Sequence, residues 1–255
     1  MRSNSHFRLR KLAGGGFALL FILFCSLRTP AQDSSVKGKV EVVSSAPTKQ
    51  SAKDSGALPA AEAVVWLAPL DADPPASPSN SSIAPVQLIQ RNKSFEPHVL
   101  AVRVGSVVQF PNKDPFFHNV FSLFDGKRFD LGLYEAGSSN SVRFDRPGIS
   151  YLFCNIHPEM SAVVIAVATP YFAVTDASGQ WTIANVPDGR YRLHVWYERS
   201  SAEDLEKLQR DVVISETARS VEPIRAVSSA AANSAHKNKY GKDYVPPSNP
   251  AYSNP

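Results

Sequence analysis

The chain has 255 residues, 43% of them apolar and 10% aromatic, enough to bury a sizeable core. Its 27 Lys and Arg against 23 Asp and Glu give +4, but five of those cations (Arg2, Arg8, Arg10, Lys11 and Arg28) lie in the first 31 residues, which hold no acid. The remainder carries 22 against 23, a balance of −1, so charge gives no case for nucleic acid or an anionic membrane surface as partner.

The first 31 residues have the layout of an export signal. A basic stretch precedes an apolar run from Phe17 to Leu27, shorter than the about 20 residues that a membrane span needs. Thr29-Pro30-Ala31 offers a small-residue cleavage site. The expectation is a signal peptide at 1–31, cut after Ala31, and a periplasmic or otherwise exported protein with no membrane span after cleavage. An uncleaved anchor is the alternative; a lipid-modified Cys25 is disfavoured because Phe24 stands where a small residue belongs.

Beyond the leader the texture is that of β-strands. Val36–Val43 alternates and Ala63–Leu70 is a short apolar run, so both read as strands. The polar stretch Ser44–Ala57 lies between them, and Asp71–Ser82, dense in Pro, Ser and Asp, reads as a linker. Close-spaced strands are then expected at Val86–Gln90, Leu100–Val104, Val107–Phe110, Asn119–Phe124, Ser141–Phe144, Ser150–Phe153 and Ala162–Ala168. Turn signals at Gly105, Asn112-Lys113-Asp114, Asp125-Gly126 and Pro147-Gly148 separate them. Short strands at this spacing predict an all-β sandwich or barrel. A second group follows at Tyr171–Thr175, Trp181–Ala184, Tyr191–Glu198, Val212–Ile214 and Val221–Ile224, with a short helix at Ala202–Arg210. Asp176 and Asp188 read as turn-formers. From Ser228 to Pro255 apolar residues are too few for a core, which predicts a disordered tail.

Chemistry concentrates in one place. Once the leader is removed, the chain has one cysteine and one methionine, and both lie in Cys154-Asn155-Ile156-His157-Pro158-Glu159-Met160. His118 stands upstream at the head of an apolar segment. One thiolate, two imidazoles and a weak axial thioether are the donors that hold copper as an electron-transfer centre. A tight loop between two strands delivers Cys154, His157 and Met160 together, and His118 must come from another strand.

Other readings of these residues exist. One is plain core packing of Cys154 and Met160, though Asn, Pro and Glu around them suit a loop. Zinc takes Cys and His, but a thioether is a poor zinc ligand. A nucleophilic Cys154 paired with either histidine would leave Met160 idle and lacks an evident oxyanion hole. His98, His194 and His236 read as surface or core histidines with no ligand role.

Residues 86–168 resemble a cupredoxin. The likeness is carried by Cys154-x2-His157-x2-Met160, the short ligand loop of amicyanin-type members, and by Phe95-Glu96-Pro97, Gly105, His118-Asn119-Val120 and Arg146-Pro147-Gly148-Ile149-Ser150-Tyr151. Ser161-Ala162 departs from the pattern, since many relatives have a glycine after the methionine. The resemblance implies one type 1 copper ion, with His118, Cys154 and His157 as strong ligands and Met160 as the axial one. It also implies an Asn119 side chain bonded across to the cysteine loop, and Phe110 and Phe153 as core residues that keep the site dry. The edge of His157 would be exposed within an apolar patch of Phe116, Phe117, Pro158 and Met160.

A second resemblance is to the carboxypeptidase regulatory-like, transthyretin-like sandwich. It rests on Ala173-Val174-Thr175-Asp176 with Gly179-Gln180-Trp181 and on Val186-Pro187-Asp188-Gly189-Arg190-Tyr191. That fold's usual opening strands match Lys37-Gly38-Lys39-Val40 and Ala63-Val64-Val65-Trp66-Leu67, far upstream. The expected plan is therefore a Greek-key cupredoxin sandwich (84–168) inserted into a second sandwich formed by 32–83 and 169–227. The alternative makes 36–70 extra strands of the cupredoxin. The expected function is an exported, non-enzymatic carrier of single electrons that docks transiently on a redox protein, its second domain offering a surface for a cell-surface polymer. A copper store without redox cycling, or a surface carbohydrate- or protein-binding module, are the competing classes.

Overall fold

Every ladder in the protein follows from side chains alternating between two faces, one strand at a time. The computed structural model describes residues 34–44, 62–71, 86–123, 126–229 and 237–244. The leader and nearly all of both polar stretches expected between the early strands lie outside the described residues. The fold is nearly all β.

The early strands are β1 (Val36–Ser44) and β2 (Val64–Pro69). The central stretch contributes β3 (Val86–Gln87), β4 (Ile89–Arg91), β5 (Ser94–Glu96), β6 (Val99–Arg103) and β7 (Val107–Pro111). It continues with β8 (His118–Ser122), β9 (Phe129–Tyr134), β10 (Ser139–Arg143), β11 (Gly148–Phe153) and β12 (Ser161–Val167). The last group is β13 (Phe172–Val174), β14 (Gln180–Ile183), β15 (Gly189–Trp196), α1 (Ala202–Lys207), β16 (Arg210–Ile214) and β17 (Ile224–Ser228).

The central strands form a sheet in the order β6-β12-β11-β8-β9 and a smaller one in the order β10-β7-β3. Leu152, Val164, Val102 and Val120 of the first pack with Val108, Phe110 and Val142 of the second in one buried core, which also contains Cys154 and Met160. The flanking strands form sheets β14-β1-β17 and β13-β2-β15-β16. Their core joins Val36, Val40, Val65, Leu67, Trp181, Leu193, Val195 and Ile224. Among the described residues, β1 and β2 form ladders with β13, β14, β15 and β17 and with no central strand. Gly38 is fitted to this core, because a Cβ there would come within 2.4 Å of Trp181 Cζ2.

Strand β12 shows how the two cores are joined. Ala162, Val164 and Ala166 point into the central core, while Val163, Ile165 and Val167 point the other way. That second face packs with Val64, Val99 and Trp196 in a separate buried layer. A strand apolar on both faces reads as an unbroken hydrophobic run, which is what Ala162–Val167 is.

Several expected elements fall elsewhere. Val86–Gln90 is interrupted at Leu88, and its second half turns through Asn92 and Lys93, both at positive φ, into the unforeseen β5. β9 was also unforeseen; it pairs with β8 through a register shift between Asn119 and Phe121. α1 ends at Lys207 because Arg210 already pairs in β16, and β17 starts at Ile224, where the expected strand ended. Of the expected disordered tail, 230–236 and 245–255 lie outside the described residues, and 237–244 departs from expectation. Residues 237–244 form a turn held by Asn238, whose side-chain oxygen accepts from the N–H groups of Tyr240 (2.9 Å) and Lys242 (3.1 Å). Composition foretold disorder there because it counts apolar residues, and this turn is held by hydrogen bonds.

Candidate metal centre

Antiparallel pairing of β11 with β12 brings Phe153 opposite Ser161, so the residues between them form a loop that leaves and re-enters neighbouring strands. The loop is closed by Cys154 N–H donating to the Met160 carbonyl (3.1 Å) and Met160 N–H donating to the His157 carbonyl (3.1 Å). β8 lies on the other side of β11, with Phe121 opposite Phe153, and it begins with His118. Sheet order thus delivers a second ligand-bearing stretch beside the loop.

Cys154, His118 and His157 converge. Their ligand atoms all lie within 4.8 Å of one another, and all three residues are buried. Cys154 Sγ is 3.8 Å from His118 Nδ1 and 3.6 Å from His157 Nδ1. An ion of zinc's size bonds nitrogen at about 2.0 Å and sulfur at about 2.3 Å, which at bond angles of about 110–120° separates the two by about 3.5–3.7 Å. The donor atoms are already close to that spacing. Met160 is wholly buried in the same core cluster as Cys154.

The electrostatics suit a metal better than a free thiol. Burial pushes the Cys154 thiol up, while the main-chain N–H groups of Asn119, Ile156 and His157 pull the other way by supporting a thiolate. Burial holds His157 down to about 4, helped by the charges of His118 and Lys93. Burial also lowers His118, opposed by Asp114. Both imidazoles are therefore neutral near pH 7, the form in which a ring nitrogen can ligate.

Asp114 was missed as a site residue by sequence reasoning, which took it only as part of a turn. Its Oδ2 lies 2.7 Å from His118 Nε2. The same carboxylate accepts from Asn92 N–H (2.7 Å) and Lys93 N–H (3.0 Å). Burial raises the Asp114 carboxyl, but these donors and His118 outweigh it and leave it below the usual carboxylate value. A carboxylate on Nε2 fixes the tautomer, so the Nδ1 lone pair faces the sulfur. The i,i+4 spacing of Asp114 and His118 was the available signal.

Two expectations about the surroundings are corrected. His157 is fully buried, not exposed at an edge, and so is Met160. The Phe116 ring covers the centre, its centroid 5.2 Å from that of His118 and 5.6 Å from that of His157, and Lys93 Nζ lies 5.7 Å above it. Of the expected rim, Phe117 is exposed. The Asn119 side chain does not cross to the cysteine loop. Its Nδ2 donates to Asp130 Oδ1 (2.8 Å) and the Gly132 carbonyl (2.9 Å), because β9 runs alongside β8 there.

The remaining sequence-assigned residues have structural roles. Phe110 is buried, and Phe153 is nearly so, packed against Phe121. His98 pairs with Glu198, and His194 stacks on Trp66 at 4.9 Å. His236 lies outside the described residues. Asp176 accepts three hydrogen bonds within its own turn, and Asp188 pairs with Arg219.

No protein-family model and no curated protein matches the sequence. Solved structures similar to part of the chain include a purple cupredoxin from Nitrosopumilus maritimus, at 24% identity and a TM-score of 0.30, covering 32% of this chain and 99% of that one. A copper-containing nitrite reductase from Thermus scotoductus SA-01 is 25% identical at a TM-score of 0.33, over 37% of this chain and 25% of its own. An amicyanin variant is 17% identical at 0.32, over 40% and 98%. These likenesses cover two-fifths of the chain or less, so the chemistry is argued from the donors themselves.

Proposed function

We propose that this is an exported type 1 copper protein that carries single electrons, in which His118, Cys154 and His157, with Met160 as the weaker fourth ligand, would hold one ion. The observation that carries the reading is the convergence of a buried cysteine sulfur and two imidazole Nδ1 atoms at 3.6 and 3.8 Å. A bound copper ion supplies one-electron redox chemistry. The chain's own part is to keep the donors in place: Asp114 orients His118, the closed loop fixes Cys154 against His157, and Phe116 excludes water. A donor set held so rigidly needs little rearrangement between oxidation states. Four protein ligands leave no position for a substrate, so the protein is a carrier and no enzyme. Electrons pass through the surface around Phe116 and the exposed Phe117, and a redox partner docks there weakly. Export fits the leader, and a lone buried thiol in an oxidising compartment is protected by its metal.

The pairing of β1 and β2 with strands after residue 171 supports the second half of the reading, a transthyretin-like sandwich interrupted by the cupredoxin. That domain orients the copper face and offers a surface to a cell-surface polymer.

Loading the protein with Cu(II) tests the assignment. The expected result is an intense visible thiolate-to-copper band, lost in Cys154→Ser, and a reversible one-electron wave in voltammetry. A colourless Cu(II) complex with no such wave would overturn electron transfer in favour of storage.

A further inference from the structure

The ligand loop is not left to itself. Residues 237–244 return to it after the last strand has ended at Ser228. Tyr244 O–H donates to the carbonyl of Cys154 (2.8 Å), and Lys239 N–H donates to Asn155 Oδ1 (3.1 Å). Lys239 Nζ lies 2.7 Å from Asp130 Oδ2. The other oxygen of that carboxylate accepts from Asn119, the neighbour of His118.

We infer that residues 237–244 form a strap that fixes the metal centre, with Tyr244 and Lys239 as positioning residues; this rests on the copper reading above. The contacts reach both ligand-bearing stretches. Through Asn155 and the Cys154 carbonyl the strap holds the loop, and through Asp130 and Asn119 it holds the strand that carries His118. The Cys154 N–H is already spent on Met160, so Tyr244 fixes the carbonyl at the other end of the residue. With both its peptide groups bonded, Cys154 has little freedom to swing its sulfur. The strap is also preformed. Besides the bonds to Asn238, Gly241 N–H donates to the Asn238 carbonyl (2.9 Å), and Gly241 takes a φ of +72°, which glycine adopts without strain. Docking therefore orders few additional bonds. Asn238 and Gly241 make the turn, and Lys239 and Tyr244 make the contacts.

The test uses the full chain and its Tyr244→Phe and Lys239→Met variants. Each variant loses one bond to the loop or its neighbour, so release of copper to an added chelator should be about fivefold faster. The thiolate-to-copper band and the reduction potential should shift as well, which a merely structural contact elsewhere would not do. Trypsin, applied to the copper-free chains, should cut after Lys242 more slowly in the unaltered protein than in Tyr244→Phe. Equal release rates, an unmoved band and equal cleavage would overturn the strap. If the unaltered chain takes up no copper, the copper reading fails, and the trypsin comparison still decides whether the strap is docked.

Discussion

The two histidines of the centre receive unequal support, and the difference is chemical. His118 has a carboxylate on its far nitrogen, whereas His157 is set by its loop and by the Phe116 ring. Carboxylate support of this kind typically changes metal affinity by about 10–100-fold. Asp114→Ala should therefore weaken copper binding by a factor in that range, read by competition with a chelator, and Asp114→Asn should fall between it and the unaltered protein. The cysteine loop stood out in the sequence because sulfur is so scarce in this chain that its placement carries information, and the structure brings His118, Cys154 and His157 together there. Asp114 stayed hidden for the opposite reason. Aspartate is common in turns, and its second role depends on a hairpin, β4–β5, whose backbone amides no residue pattern reveals. Tyr244 and Lys239 were hidden by averaging, since two contacts do not alter the composition of a polar tail.

Elements of the central and flanking sheets meet through His98 and Glu198, which lie just before β6 and just after β15. His98 Nε2 is 2.8 Å from Glu198 Oε2, and its Nδ1 is 3.1 Å from the Ser161 carbonyl. Both partners are acceptors, so both ring nitrogens donate only in the imidazolium. The hydrogen bond to Glu198 raises His98 above its ordinary 6.5, with burial opposing. A group raised on folding stabilises the native state fully below its unfolded pKa, and that contribution disappears as pH climbs through the folded value. Glu198→Gln should thus lower the denaturant midpoint at about pH 5.5 and have little effect at about pH 8.5. Part-exposure screens the pair and keeps the acidic-side loss to about 1 kcal/mol or less. Strands such as β15 were legible because Tyr191, Leu193 and Val195 alternate into one core. β9 was passed over although Phe129, Leu131 and Leu133 alternate with Asp130 and Gly132, because a glycine sits inside it, Leu133 faces solvent, and its order comes from pairing with β8. β5 is three residues long, below what alternation can register.

The molecule as a whole is joined by a dry layer in which β12, β6, β2 and β15 share Val163, Ile165, Val167, Val99, Val64 and Trp196. Coupling through such a layer should make heat unfolding a single cooperative transition. Trp196 is 3% exposed there, and removing a buried aromatic costs about 3–5 kcal/mol. In Trp196→Ala, scanning calorimetry on copper-loaded protein should show the single peak move down and split, the core that contains Cys154 melting last. A single unsplit peak in the variant would show that the layer does not couple the two halves. The pairing of β1 and β2 with distant strands is not legible in composition, because nothing in 36–70 says which strands it will meet.

The order of synthesis turns this arrangement into a problem of timing. β1 emerges first, yet its partners are residues 180–183 on one edge and 224–228 on the other. Until the ribosome has made nearly the whole chain, β1 and β2 are bare edges with apolar faces, the kind of surface on which nascent polypeptides stick to one another. A shortened gene that ends at residue 168 would carry those two orphans permanently. Anyone wishing to isolate the part that contains the Cys154 loop should therefore begin near Val86, and replace the outward Val163, Ile165 and Val167 with polar residues.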